Sequence, residues 1–365
     1  MIEAVELRRV ALPLVAPFRT SFGIETVRDV LLVRVVTPDA EGWGECVARS
    51  EPLYSPEFVA AAELVVRDHL LPRLWKVTGP SDVADALRPV KGHPMAKAAV
   101  ELAVLDAWLR AAGVSLAAHL GGTRDMVEVG VSVGIADTLA ALLDAVDGYV
   151  AEGYRRVKLK IEPGWDVEPV SAVRARHPHL ALQVDANGAY TLDDADTLAA
   201  LDPLDLLLIE QPLAEEDLRG HATLAGRIRT PICLDESITS VASAVEAIET
   251  GACAIVNIKP GRVGGWLEAR AIHDACVARS VPVWCGGMLE TGVGRAANVA
   301  LASLPGFTLP ADLSASARYF REDLTRPFVL EDGRLRVPTG PGIGVEPRPD
   351  ALAAMTTSNG LHRRP

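Results

Sequence analysis

From about residue 127 onward the sequence repeats one kind of unit, a short apolar run followed by an amphipathic helical stretch. The runs occupy residues 127–133, 156–161, 180–184, 204–209, 232–234, 254–258 and 281–284. Their starts lie roughly 25 residues apart, the length of one strand plus one helix, and no hairpin turn separates consecutive runs. With residues 307–309 as a short eighth run, the pattern predicts an α/β fold, a modified TIM barrel of the form (β/α)7β. A flat doubly wound sheet uses fewer consecutive units and opens on a glycine-rich turn, which this sequence lacks.

The segment before the repeat has another texture. Residues 2–48 read as a meander of about three strands. Ser55-Pro56 reads as a helix cap followed by proline at the first helical position, with helical spacing over 58–71 and a second helix over 95–112. After the repeat, Asp332-Gly333 marks a hairpin over 328–337 that is expected to return to the first unit, and residues 350–365 read as a frayed tail. The expected division is residues 1–120 as an α+β capping domain, 121–315 as the barrel, and 316–365 as a segment returning to the cap. The 365 residues suffice for both units.

Charge excludes some classes of partner. Lys and Arg total 36 against 48 Asp and Glu, a net charge of −12, so nucleic acid and acidic membrane surfaces are repelled. The cysteines (Cys46, Cys233, Cys253, Cys276, Cys285) are odd in number and show no metal-binding spacing, so they read as buried thiols of a reducing compartment. The amino-terminal residues carry charge at once, and no apolar run approaches the ~18 residues of a membrane span, so a cytoplasmic protein is expected.

Barrels of this kind carry their chemistry at the carboxyl ends of the strands. Three such ends hold Asp185, Glu210 and Asp235, each 25 residues after the last, on the third, fourth and fifth strands. Converging carboxylates repel one another unless a cation neutralises them, and an all-oxygen set favours Mg2+ or Mn2+ over zinc. The competing explanation is that each acid caps the helix that follows it. Lys158 and Lys160 lie two apart on the second strand and so share its inward face. Lys259 ends the sixth strand, diametrically opposite in an eight-membered ring. A carboxylate substrate held at the acids would have its α-carbon between Lys160 and Lys259. One lysine must be neutral to act as a base, and Arg262 is a candidate for the extra positive charge that lowers a lysine pKa.

Lys158-Leu159-Lys160, the Asp185, Glu210, Asp235 series, Lys259 and Gly42-Trp43-Gly44-Glu45 together resemble the enolase superfamily, in its muconate-lactonizing-type subgroup. The wording at 16–23, 131–134, 258–265 and 286–292 is similar to the o-succinylbenzoate synthase / N-acylamino acid racemase family. That resemblance implies metal-dependent abstraction of a proton α to a carboxylate through an enediolate. The reaction is then either dehydration of 2-succinyl-6-hydroxy-2,4-cyclohexadiene-1-carboxylate for menaquinone synthesis or racemisation of N-acyl, especially N-succinyl, amino acids. It further implies Lys160 and Lys259 as the catalytic pair, a homo-oligomer, and a loop with Phe18 and Phe22 and the Arg49 region closing over the distal end of a small carboxylate substrate. Ser132, Lys158, Asn187 and the backbone at Gly286, Gly287 and Met288 would line the pocket.

Other members of the superfamily match less well. A mandelate-racemase-like site needs a histidine on the seventh strand, which ends here in Trp284-Cys285-Gly286. A dipeptide epimerase needs a D-x-D near Asp312. A Schiff-base aldolase using Lys160 or Lys259, and a barrel that only binds, are the remaining alternatives. Borohydride trapping would mark the aldolase, whereas loss of activity with EDTA would mark the metal-dependent route.

Overall fold

The computed structural model describes all residues, 1–365. Strands β1 (Ala4–Thr20), β2 (Gly23–Val36) and β3 (Glu41–Cys46) form an antiparallel meander. β3 lies against the helix Pro94–Ala112 so closely that a Cβ on Gly44 would sit 1.9 Å from the Ala99 carbonyl oxygen. Only glycine permits that approach.

The first cap helix starts at Val59, later than the Ser55-Pro56 signal predicts. Ser55 Oγ instead accepts a hydrogen bond from the Glu57 amide at 3.2 Å, and the Glu57 carboxylate accepts from the Met95 and Ala96 amides at 2.8 and 3.1 Å. Capping the neighbouring helix keeps this segment out of the helix, with Phe58 extended just before it.

The first apolar run of the repeat divides into β4 (Met126–Glu128) and β5 (Val131–Val133). Then follow β6 (Arg156–Lys160), β7 (Ala181–Asp185), β8 (Ile209–Glu210), β9 (Ile232–Leu234), β10 (Ile255–Ile258) and β11 (Val283–Cys285). β5 to β11 are parallel neighbours in chain order, each followed by at least one helix. Residues 307–312 close the ring without forming a regular strand. On one side the Thr308 and Asp312 amides donate to the carbonyls of Val283 and Cys285 at 3.2 and 2.9 Å. On the other, Ala311 N donates to Glu128 O at 2.9 Å and Gly130 N to Ala311 O at 2.8 Å. The result is a (β/α)7β barrel with an α+β cap.

β8 is shorter than the run 204–209, because Asp202–Leu204 is a 3-10 turn and Asp205 takes a left-handed φ of 51°. The hairpin signal at Asp332-Gly333 is real, but the strand after it, β12 (Arg334–Arg336), pairs with β4 and not with the cap sheet. The tail is not frayed. β13 (Thr356–Arg363) runs antiparallel to β1, from Ala4 opposite Arg363 to Val10 opposite Thr356. It is an edge strand with mostly exposed side chains, held by backbone bonds, so its sequence carries no apolar alternation.

Two buried carboxylates of the cap fasten it to the barrel. Glu101, on the helix Pro94–Ala112, accepts from the Trp266 and Leu267 amides at 2.6 and 3.1 Å, in the first turn of the helix Trp266–Val277. Glu45, on β3, accepts from the Thr291 and Gly294 amides at 2.9 and 2.8 Å, at the start of the helix Gly292–Ala302. Burial pushes both carboxyls up to about 7, with the nearby Glu290 adding to the effect at Glu45. All five cysteines are free and buried. No helix is long and apolar enough to cross a membrane.

Candidate active site

Leu208, Cys233, Ile255 and Trp284 form an apolar layer inside the barrel, and the polar groups stand above it at the carboxyl ends of the strands. Parallel pairing sets their heights. Lys160 is opposite Asp185, and Asp185 is opposite Glu210. Glu210 faces Cys233, so Asp235 stands one inward-facing step further along than the spacing of 25 implies. All three acids are fully buried. None is needed as a helix cap. Thr191 with Asp194 caps the turn after β7, Asp217 accepts from Gly220 N at 2.8 Å after β8, and Ser240 accepts from Ser243 N at 3.2 Å after β9.

The lysines reach these acids from two sides. Lys160 Nζ lies 2.6 Å from both Asp185 Oδ2 and Asn187 Oδ1. Lys259 Nζ lies 2.5 Å from Asp235 Oδ2 and 3.2 Å from the Tyr54 hydroxyl, to which it donates. Lys158, 5.1 Å above the Trp284 ring, bridges Asp185 (3.0 Å), Glu210 (2.8 Å) and Asp312 (3.0 Å). Arg262 meets the other oxygen of Asp235 at 2.9 Å. Asn257 Nδ2 donates to Glu210 Oε1 at 2.7 Å.

Charge and burial compete at every one of these groups. Burial alone would raise Asp185, but Lys160 and Lys158 outweigh it and hold that carboxyl well below the usual range. Glu210 goes the other way. Burial, then repulsion from Asp185, pushes it up to about 8 despite Lys158. Burial would lower Lys259, yet Asp235 prevails and holds the ammonium charged. Arg262 was expected to depress that lysine. The structure places it across the shared Asp235 carboxylate from Lys259, whose pKa is raised and not lowered.

Of the residues singled out from the sequence, Lys158, Lys160, Lys259 and Asn187 line a cavity of about 30 Å³. Ser132, Phe18, Phe22, Gly287 and Met288 complete much of its wall. Gly286 does not reach it, since a Cβ there would meet the Asn257 amide at 2.3 Å in the layer beneath. Arg262 does not line it either. Several groups were missed, Arg295 and Tyr319 of the wall among them. Asp312, on the closing segment, accepts from Ser132 Oγ at 2.8 Å. Tyr54 comes from the cap. Glu236 accepts from Asn187 Nδ2 at 2.9 Å, leaving its other oxygen without a partner. The acid next to Asp235 was in plain view, whereas Asp312 lies three residues beyond the eighth run, 307–309.

Residues 2–121 match the mandelate racemase / muconate lactonizing enzyme N-terminal domain, and residues 141–351 match the enolase C-terminal domain-like family. The chain belongs to the enolase superfamily. Within the superfamily it is 63% identical over 360 residues to an N-succinylamino acid racemase from an Amycolatopsis species, covering 98% of each chain. It is 49% identical over 349 residues to an o-succinylbenzoate synthase from Geobacillus kaustophilus, covering 94% of this chain and 93% of that one. A solved enolase-superfamily member from Listeria innocua superposes with a TM-score of 0.95 at 42% identity, covering 99% of each chain.

Enolase-superfamily members of this type depend on a divalent metal. The acids here are not gathered around one point, because the lysine ammonium groups lie among them. The donor set nevertheless fits a hard cation. It is all oxygen, it is buried, and burial together with repulsion from Asp185 disfavours the ionised form of Glu210, a penalty that a divalent charge would offset.

Proposed function

We propose that this chain is an o-succinylbenzoate synthase with N-succinylamino acid racemase activity. The observation that carries the reading is the placement of Lys160 and Lys259 on opposite sides of three buried carboxylates. Asp185, Glu210 and Asp235 would hold Mg2+, or Mn2+. When bound, that cation supplies the positive charge without which a carbon α to a carboxylate is too weak an acid for a lysine to deprotonate. Lys160 takes the α-proton from one face. Lys259, kept charged by Asp235, stands at the other face. In the dehydration it remains protonated and stabilises the enediolate electrostatically. In racemisation it returns a proton to the face opposite the one deprotonated, and the roles reverse for the other enantiomer. Lys158 holds Asp185, Glu210 and Asp312 in place from below. The reading includes a cytoplasmic homo-oligomer acting on a small carboxylate, with residues 1–120 as the cap and 121–315 as the barrel.

A dedicated N-acylamino acid racemase is the second reading, favoured by the greater identity to the Amycolatopsis racemase. Comparison of kcat/KM for the cyclohexadiene substrate and for N-succinyl amino acids separates the two. For the shared first step, Lys160→Ala and Lys259→Ala should each abolish α-proton exchange of N-succinylphenylalanine in D2O, followed by NMR, with an unchanged circular dichroism spectrum. Exchange at the wild-type rate in either variant would overturn the catalytic pair.

A further inference from the structure

The 30 Å³ cavity holds about one water and no substrate. Beside it, sharing Phe22 and Arg49 as a partition, lies a second chamber of about 290 Å³, lined also by Glu25, Ser50 and Leu53. That chamber offers a long substrate arm room beyond the cavity.

The partition carries unbalanced charge. Arg28, fully buried, donates to the Val47 and Ala48 carbonyls at 2.7 and 3.1 Å and lies 3.4 Å from Glu25 Oε1. Arg49 Nη1 lies 3.1 Å from Glu25 Oε2, and neither arginine has any other carboxylate partner. Two guanidinium groups thus share one carboxylate, and Arg49 Nε is buried with no acceptor at all. The Arg49 guanidinium stacks over Phe22 (5.0 Å) and Tyr54 (5.9 Å), and Lys259 lies over the same Tyr54 ring at 5.0 Å. Arg49 is therefore one aromatic ring away from a catalytic lysine.

Resting on the function proposed above, we infer that Arg49 is a specificity-determining residue that binds a carboxylate at the far end of the substrate's acyl arm, selecting succinyl over uncharged acyl groups. The anion completes the charge balance of the Glu25, Arg28 and Arg49 cluster and gives Nε an acceptor.

The test compares N-succinylphenylalanine with its methyl ester at the succinyl carboxyl, measuring Kd by calorimetry in Mg2+ buffer and D2O exchange in parallel. Wild type should bind the free acid more tightly than the ester by about 10- to 100-fold, the yield of a charged hydrogen bond. Arg49→Met should collapse that ratio towards one, and Glu25→Gln, which frees the guanidinium, should raise it above wild type. An unchanged ratio in Arg49→Met overturns the inference, as does a ratio that falls in Glu25→Gln. Selective weakening of N-acetylglutamate rather than of the succinyl free acid would put the guanidinium at the amino-acid side chain and overturn it too. Failure of the reaction is read separately. A wild type that keeps the binding ratio but shows no exchange refutes the proposed function and leaves the arm contact standing.

Discussion

Asp312 binds Lys158 at 3.0 Å and Ser132 at 2.8 Å and lies 3.4 Å from Arg156. Burial would raise its pKa, but Lys158 and then Arg156 hold it well below the usual carboxylate range. A depressed carboxyl contributes stability above its unfolded pKa of about 3.8, and that contribution is lost as the pH falls towards the folded value. Asp312→Asn should therefore cost about 3 kcal/mol at pH 7 in urea denaturation, the cost of breaking a buried pair, and the difference from wild type should shrink below pH 4. The residues on regular strands were legible because alternation fixes which side chains face inward. Asp312 escaped because residues 307–312 make ring-closing bonds without strand periodicity. The Arg49 region was reached only through family wording and Tyr54 not at all, since nothing local says which barrel side chains a cap loop will meet.

At the level of elements, the cap and barrel are joined through helix ends. Glu101 is 165 residues from the amide it caps, so its role was not legible although its helix was. Its carboxyl sits at about 7 when folded against 4.5 as an ordinary glutamate. Between those values the folded state holds a proton that the unfolded chain has released, so stability falls as pH rises through that window. Glu101→Gln should remove about 3 kcal/mol of the wild-type loss between pH 5 and pH 8, measured as unfolding free energies in urea at each pH. An identical slope in wild type and variant would show that Glu101 does not titrate in that range. The strand–helix repeat was the readable part of the barrel because each unit restates the same hydrophobic period. β8 was overread because Leu206 and Leu208 are buried without belonging to the strand.

For the whole molecule, the largest departure from the sequence reading is β13. Apart from Arg8, which donates to the Thr356 hydroxyl at 2.9 Å, the pairing is carried by backbone, so polar residues 356–360 looked like solvent-exposed tail and were structurally a strand. Removing residues 356–365 should uncover the edge of β1, lower Tm by about 2–5 °C and produce concentration-dependent association in light scattering. A truncated chain with the same Tm and no association would assign the strand no share in stability.

Ala4 lies opposite Arg363 in that pairing, so the first and last strands in chain order meet at one spot on the cap sheet. Topologically the molecule is a ring fastened by hydrogen bonds instead of a covalent link. A short linker from residue 363 to residue 4 would make the ring covalent, and the chain could then be opened at an exposed turn such as 250–251 with the barrel order preserved. Such a permutant would move the break in the polypeptide from the cap to the barrel while leaving every strand neighbour in place.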